Sequence, residues 1–183
     1  VAQSSSALII NETGEHYSSN INLTHTGSAL GLTMWVKFNN TTTSNQKFLS
    51  LVSGSNRISL DFNNNLGAEQ LVLRKGPTTA SGFSSFHKMR RISGFSTDEW
   101  ILIGFNVLDL SDPETDSDFE LQYVDSTGYN GPGSLSGKTL AGTMDCTAIE
   151  TIEFGDILNS STPMTGAIDE VVMWSKALTQ TDM

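Results

Sequence analysis

One stretch near the end of the chain reads Gly166-Ala-Ile-Asp-Glu-Val-Val-Met-Trp174, an apolar strand pattern that two adjacent acids interrupt. Side chains alternate between the two faces of a β-sheet, so an inward Ile168 predicts that Glu170 also points inward. The apolar residues Val171 and Met173 carry the opposite phase instead. A shift of one residue exchanges the two faces, so a β-bulge at the two acids would reconcile both phases. The sequence therefore predicts a bulged strand that holds two carboxylates at a bend of a sheet.

This strand and the segment after it resemble a known closing motif. The segment reads Ser175-Lys-Ala-Leu-Thr-Gln-Thr-Asp-Met183, and the whole motif is similar to the end of laminin-G-like and pentraxin-like domains. These domains are jelly rolls of the concanavalin-A-like superfamily. Trp35-Val-Lys and the strand that begins at Trp100 resemble two further strands of that family. The resemblance implies an all-β fold, a two-sheet antiparallel jelly-roll sandwich.

The end of the chain also bears on domain organisation. Thr179 and Asp182 fit the N-cap and the first-turn acid of a helix, and the sequence stops where that helix would begin. The 183 residues are 37% hydrophobic, which suits one domain with a sizeable core. We therefore expect a single laminin-G-like domain over residues 1–183 that is a fragment of a longer chain.

The charge of the chain restricts its partners. Twenty Asp and Glu residues against ten Lys and Arg give a net charge of -10, so the phosphates of nucleic acid and of anionic membranes would be repelled. No apolar run is long enough to cross a bilayer, which predicts no membrane insertion. Cys146 is the only cysteine, which excludes intrachain disulfides and cysteine-based zinc clusters. Its apolar neighbours favour a buried, inert thiol over a reactive one.

Further strand patterns run through the chain. Residues 32–38 alternate cleanly, and Trp35 lies on the face opposite Leu32, where we interpret it as a packing residue rather than a ligand platform. Short apolar segments recur between residues 48 and 74, separated by turn residues, which is typical of an antiparallel sandwich. The residues expected to be mostly buried are Leu32, Met34, Val36, Phe48, Leu60, Trp100, Leu102, Leu121, Ile168 and Trp174.

A basic segment occurs within residues 76–97 of this acidic chain. One interpretation is a loop or hairpin whose cations pair with nearby acids. The other is recognition of an anionic glycan, with Arg and Lys on sulfate or carboxylate and a phenylalanine under a sugar ring. A separate turn-rich loop adds an aromatic, Tyr129. The candidate glycan-binding residues are Phe83, Phe86, His87, Lys88, Arg90, Arg91 and Tyr129.

Calcium is the cofactor that the resemblance and the carboxylates suggest. The first candidate ligand is Asp169 at the expected bulge, with Glu15 as a second ligand, because the first and last strands adjoin in such sandwiches. His16 stands where relatives often have an acid, and the alternative is that Asp169 holds a neighbouring turn without metal. A second candidate pair, Asp112 and Asp116, belongs to an acidic loop that also fits a solvated turn.

The distribution of carboxylates argues against catalysis. A jelly-roll glucanase needs paired carboxylates, usually from acids that alternate on one face of a strand, and no apolar strand here supplies that alternation. We therefore predict a non-enzyme. Two function classes follow: a carbohydrate-binding or adhesion module that uses rim loops and contacts a glycan or a surface protein, or a structural sandwich that contacts neighbouring subunits. Either class implies an extracellular, cell-surface or virion-surface location.

Overall fold

The computed structural model describes residues 7–10, 15–39, 46–65, 68–77, 87–91, 98–133, 136–137, 144–155 and 164–183. Within these ranges the chain forms thirteen β-strands and two 3-10 helices, Asp116–Asp118 and Gln180–Asp182. The strands are β1 (Leu8–Ile10), β2 (His16–Thr24), β3 (Leu30–Phe38), β4 (Gln46–Ser53), β5 (Asn56–Asn65), β6 (Ala68–Pro77), β7 (His87–Arg91), β8 (Trp100–Val107), β9 (Phe119–Asp125), β10 (Gly128–Gly133), β11 (Ser136–Gly137), β12 (Ala148–Gly155) and β13 (Gly166–Trp174).

The strands build two antiparallel sheets that pack face to face. The six-stranded sheet has the order β1-β13-β3-β8-β9-β10, and the seven-stranded sheet has the order β11-β7-β6-β5-β4-β12-β2. The first and last strands are neighbours, since Leu8 pairs with Ile168. The predicted all-β, two-sheet jelly-roll sandwich is confirmed. The described residues contain no helix that is long and apolar enough to cross a membrane.

The core lies between the sheets and follows the alternation of the sequence. Leu32, Met34, Val36 and Phe38 of β3 all face it and have no exposed surface. Opposing strands supply aromatic partners, which pack edge-to-face or tilted against the end of β3. Eight of the ten residues expected to be buried are buried, and these eight are Leu32, Met34, Val36, Phe48, Leu60, Leu102, Leu121 and Ile168.

Placing Trp100 and Trp174 in the core was wrong. Both are half-buried on the outer face of the six-stranded sheet. Trp174 Nε1 donates a hydrogen bond of 3.2 Å to Thr33 Oγ1, and Thr33 alternates with the inward residues of β3. Trp100 pairs with Lys37, which also points outward. Aromatic residues fit both faces of a sheet, so their type alone does not assign a face.

The bulge that the phase break predicts is present in β13. Asp169 pairs with Trp35 and Val172 pairs with Thr33, so two residues of β13 lie opposite the single residue between them on β3. Glu170 adopts a left-handed backbone with φ of 47°, and its N–H donates to Asp169 Oδ1 at 2.9 Å. The extra residue lets the apolar side chains on both sides of the bulge reach the core.

Residues 175–183, here named the C-terminal strap, cross the outer face of the six-stranded sheet. The side chain of Asn106, fully buried, accepts a hydrogen bond from Leu178 N–H at 2.7 Å and donates one to Leu178 O at 3.1 Å. A Cβ on Gly104 would lie 2.5 Å from Met183 Sδ, so glycine makes room for the strap. Thr179 and Asp182 cap the last 3-10 helix through Asp182 Oδ2, as their spacing predicts.

Replacing Gly166 with alanine should be strongly destabilising, because the added Cβ would lie 1.8 Å from the carbonyl oxygen of Lys37. Backbone cannot move aside as a side-chain tip can, so we expect a loss of roughly 3 kcal/mol or more. Gly54→Ala is the matched control: Gly54 has φ of 56° with no atom within 4 Å of the added Cβ, and should lose only about 1–2 kcal/mol. Urea unfolding measures both, and equal losses would contradict this account of Gly166.

Candidate functional site

A shallow pocket of about 290 Å³ opens on the outer face of the six-stranded sheet. We name it the tryptophan pocket, and its lining residues are Trp35, Glu99, Trp100, Val124, Asp125 and Ser126. The two indoles come from the neighbouring strands β3 and β8. The polar residues come from the segment before β8, from the last residue of β9 and from the turn after it. The pocket therefore combines half-buried aromatic side chains with polar side chains at its edge.

The register of the sheet puts these side chains together. Leu102 pairs with both Trp35 on β3 and Val124 on β9, and Val124 pairs in turn with Tyr129 on β10. Cross-strand partners point to the same face of a sheet, so these four residues form one row. The row continues to Asp169, the partner of Trp35 on β13. The result is a largely apolar strip with an acid at one end and a phenol at the other.

The edge of the pocket is fixed by local hydrogen bonds. Asp125 Oδ1 accepts from the N–H and the hydroxyl of Thr127, at 2.8 and 2.6 Å, which orders the β9–β10 turn. Ser126 Oγ donates to Glu99 Oε2 at 3.4 Å, so both edges of the pocket are connected. Lys37 Nζ stands 5.9 Å from the centroid of the Trp100 ring, a cation–π contact. Carboxylate and hydroxyl groups at the edge of an indole surface can accept and donate hydrogen bonds to a polyhydroxylated ligand.

Tyr129 is held next to the pocket by a chain of buried contacts. Its hydroxyl donates to Gln122 Oε1 at 2.7 Å, and Gln122 Nε2 donates to Leu178 O of the C-terminal strap at 3.4 Å. Gln122 has no exposed surface. The strap therefore orients Tyr129 through one intervening amide.

The predicted glycan-binding residues do not form one group. Tyr129 lies in the row of the tryptophan pocket. His87, Lys88, Arg90 and Arg91 belong to β7, which pairs with β6 in the seven-stranded sheet, so the described part of the basic segment is one arm of a β6–β7 pair. Phe83 and Phe86 lie outside the described residues, as do the side chains of β7. Glycan binding by the basic residues stays a prediction.

Sequence reasoning missed most of the pocket. The sequence favours a packing role for Trp35 and a core position for Trp100, and no sequence motif marks the acids at 99 and 125. The available signal was the alternation of β3, where Trp35 is out of phase with four apolar residues and thus has to face outward. Which other strand would bring a second indole beside it depends on the strand order, and that is not written in the local pattern.

The candidate calcium ligands are distributed over both sheets. Asp169 lies in the six-stranded sheet, whereas Glu15 precedes β2 of the seven-stranded sheet. The backbone of Glu15 lies beside the end of β12, since a Cβ added to Gly155 would be 2.4 Å from the carbonyl oxygen of Glu15. His16 faces Glu153, with 3.8 Å between Nε2 and Oε1. Among the described residues no group of three or more His, Cys, Asp or Glu side chains is placed to hold a metal ion. Calcium binding by these residues stays a prediction.

The acidic loop makes structural contacts of its own. Asp112 Oδ1 accepts from the buried Lys75 Nζ at 3.0 Å and from Met144 N–H at 3.0 Å. Asp118 Oδ2 caps the first 3-10 helix through Thr115. The side chain of Asp116 lies outside the described part of the structure. Asp112 therefore pairs with an ammonium group and holds the loop against the end of the sandwich.

Two ionisable groups are altered by burial. Asp61 on β5 is fully buried, and desolvation raises its pKa although Arg74 Nε contacts its Oδ2 at 2.6 Å. Cys146 has no exposed surface, and desolvation raises the pKa of its thiol to about 12. Such a thiol is protonated at neutral pH, which agrees with the prediction of an inert cysteine.

The chain thus has the fold of a jelly-roll sandwich, and several solved structures share it. The botulinum neurotoxin serotype D binding domain superposes with a TM-score of 0.53 at 12% identity, over 98% of this chain and 43% of that one. Domain 4 of AbnA, an extracellular arabinanase from Geobacillus stearothermophilus solved with arabinotriose, gives 0.51 at 19% identity, over 96% and 73%. Full-length tailspike protein 2 from an Escherichia coli bacteriophage gives 0.55 at 9% identity, over 93% and 24%.

These likenesses concern the fold alone, since all the identities are low. The chain spans less than half of the neurotoxin domain and about a quarter of the tailspike protein. The sequence matches no family model and no curated protein. The resemblance to laminin-G-like and pentraxin-like domains is therefore confirmed at the level of the sandwich and not at the level of the family.

Asp182 should titrate well below an ordinary aspartate. A hydrogen bond from Lys176 Nζ, followed by those from Thr179, lowers the pKa of its carboxyl to about 2. A pKa that is lower in the folded state contributes stability above the unfolded value, and this contribution is lost as pH falls from about 4 to about 2. NMR titration of the carboxyl carbon measures the pKa, and Lys176→Gln should raise it. Titration near 3.8 in the unaltered chain would contradict the described contacts.

Thermal melts with calcium and with chelator should coincide if Asp169 acts only within the bulge, where its Oδ1 accepts the backbone N–H of Glu170 at 2.9 Å. A ligand at a hundred times its dissociation constant would add about 2.7 kcal/mol. Calcium-dependent stabilisation that Asp169→Asn removes would contradict this expectation and establish the metal site. Glu150→Gln, an exposed acid on the other sheet, is the control for a general loss of charge.

Proposed function

We propose that this chain is a non-catalytic carbohydrate-binding module of a surface-exposed or extracellular protein, and that the tryptophan pocket is its sugar site. The observation that carries the proposal is that one pocket combines two half-buried indoles, Trp35 and Trp100, with carboxylate and hydroxyl groups at its edge. Pockets of this composition, apolar with a few convergent polar groups, are the usual form of small-ligand sites.

The chemistry of sugars matches this surface. A pyranose presents C–H groups on its faces and hydroxyls around its edge, so an indole can cover a face while carboxylates accept hydrogen bonds from the hydroxyls. The row from Trp35 to Tyr129 runs across three strand spacings, which is roughly 14 Å at about 4.8 Å per strand. A strip of that length suits two or three sugar units rather than one.

The comparisons support the proposal without naming the ligand. Domain 4 of the arabinanase, which has the same fold, was solved with arabinotriose, and its enzyme is extracellular. The neurotoxin structure is a binding domain and the tailspike is a phage protein. A surface or extracellular location for this chain is part of the proposal.

Binding without catalysis is supported by the surroundings of the acids. The general acid of a glycosidase is kept protonated by apolar surroundings, whereas Glu99 is exposed. Asp125 is engaged by the turn residue Thr127. These carboxylates are placed to accept hydrogen bonds from a ligand.

Trp35→Ala should weaken oligosaccharide binding by about tenfold or more, because a buried tryptophan anchor commonly contributes more than about 1.4 kcal/mol. A glycan array identifies bound oligosaccharides, and calorimetry with the best of them gives the affinity. Trp174→Ala is the matched control, since Trp174 is half-buried on the same face but does not line the pocket. Thermal melts establish that both variants are folded.

Three results would contradict the proposal. Absence of binding to any glycan would favour the alternative, a structural sandwich that contacts neighbouring subunits, and sedimentation analysis would then test self-association. If Trp35→Ala and the unaltered chain bound the oligosaccharide with equal affinity, the sugar site would lie elsewhere on the chain. Release of shorter products from bound oligosaccharides, followed by chromatography, would identify an enzyme.

A further inference from the structure

We propose that the tryptophan pocket selects uncharged oligosaccharides and disfavours glycans that carry a carboxylate or a sulfate. The inference rests on the proposed function, because it names the ligand class of the same pocket. It concerns a different surface from the basic segment, for which recognition of an anionic glycan stays a prediction.

The fixed charges around the pocket are predominantly negative. Glu99 and Asp125 line it directly. Asp169 pairs with Trp35 at the end of the row, and Asp98 is the exposed residue before Glu99. The contact of Ser126 Oγ with Glu99 Oε2 joins the two sides of the pocket, so a ligand that reaches the indoles passes close to both lining carboxylates.

Among the residues whose side chains the structure describes, one cation contacts an indole of the pocket. Lys37 Nζ is 5.9 Å from the centroid of the Trp100 ring, so its charge is directed to the face of that indole. This ammonium offsets part of the negative potential of the two lining carboxylates and of Asp169 at the end of the row. The net charge of the described groups at the pocket is therefore negative.

The basic strand belongs to the other sheet. β7 carries His87, Lys88, Arg90 and Arg91 and belongs to the seven-stranded sheet, whereas the pocket opens on the outer face of the six-stranded sheet. None of these four residues lines the pocket, and salt screens charges that lie beyond a Debye length of about 8 Å at physiological ionic strength.

The charge of the ligand therefore decides how it meets the carboxylates. Sugar hydroxyls donate hydrogen bonds to Glu99 and Asp125, which are charge-assisted and strong. A sialic acid, uronic acid or sulfate group near the same oxygens meets like charge, which costs about fivefold to tenfold in affinity at about 4 Å in water. An uncharged oligosaccharide avoids this repulsion and keeps the indole contact.

The experiment compares matched pairs of probes. Each neutral oligosaccharide, such as lactose or N-acetyllactosamine, is measured beside its sialylated and sulfated counterparts by calorimetry at low and at high salt. We expect the neutral member of each pair to bind about tenfold more tightly at low salt, and high salt to reduce the difference. An acidic member that binds as tightly as its neutral partner, or more tightly, would overturn the inference.

Charge-removing variants assign the discrimination to the pocket. Glu99→Gln with Asp125→Asn keeps hydrogen-bond acceptors and removes both lining charges, and it should bring the paired affinities to within about twofold. Glu150→Gln removes an exposed charge from β12 in the other sheet and should leave the discrimination intact. Discrimination that survives in the double variant would show that the net charge of the chain, and not the pocket, causes it.

Failure of this inference is distinguishable from failure of the proposed function. When neither member of any pair binds, or when Trp35→Ala binds as well as the unaltered chain, the pocket is not a sugar site. When both members bind in a manner that depends on Trp35 but with equal affinity, the site stands and the charge selection is wrong.

Discussion

Ile168 and Met173 both face the core of the sandwich. Met173 comes five residues after Ile168, and in a regular strand two residues five apart point to opposite faces of the sheet. The bulge at Asp169 and Glu170 supplies the one extra residue that this requires. β13 contacts β1 on one side and β3 on the other, so its register fixes which residues of β3 face inward. The inward position of Met34 and the outward position of Trp35 are two consequences of the same pairing.

The outer face of the six-stranded sheet is divided between two uses. Toward one end the C-terminal strap covers it, and Asn106 satisfies both backbone groups of Leu178 much as a neighbouring strand would. Toward the other end the sheet carries Trp35 and Trp100 with their surfaces partly open to solvent. Gln122 stands at the boundary and bonds to both sides. The C-terminal strap thus covers one part of the outer face, and the uncovered part carries the two half-buried tryptophans.

The strands, the sheet class and the bulge could be predicted from sequence because each depends on local alternation. The phase break at Asp169 is visible in nine residues, and the capping pair of Thr179 and Asp182 is visible in four. The pocket depends instead on which strands become neighbours. Trp35 and Trp100 are far apart in the chain, and the assignment of Trp100 to the core failed because an aromatic at a strand start suits either face. The row from Trp35 to Tyr129 likewise depends on the order of the four strands β3, β8, β9 and β10 in the sheet.

The burial of Cys146 has a practical consequence for work on this chain. Its thiol is inaccessible and its pKa lies near 12, and the sequence has no other cysteine. Toward alkylating dyes the folded domain thus behaves as if it had no thiol at all. A single cysteine introduced at Ser126, an exposed position on the edge of the tryptophan pocket, would be the sole site of labelling, and a fluorophore there would report occupancy of the pocket without a change to the native thiol.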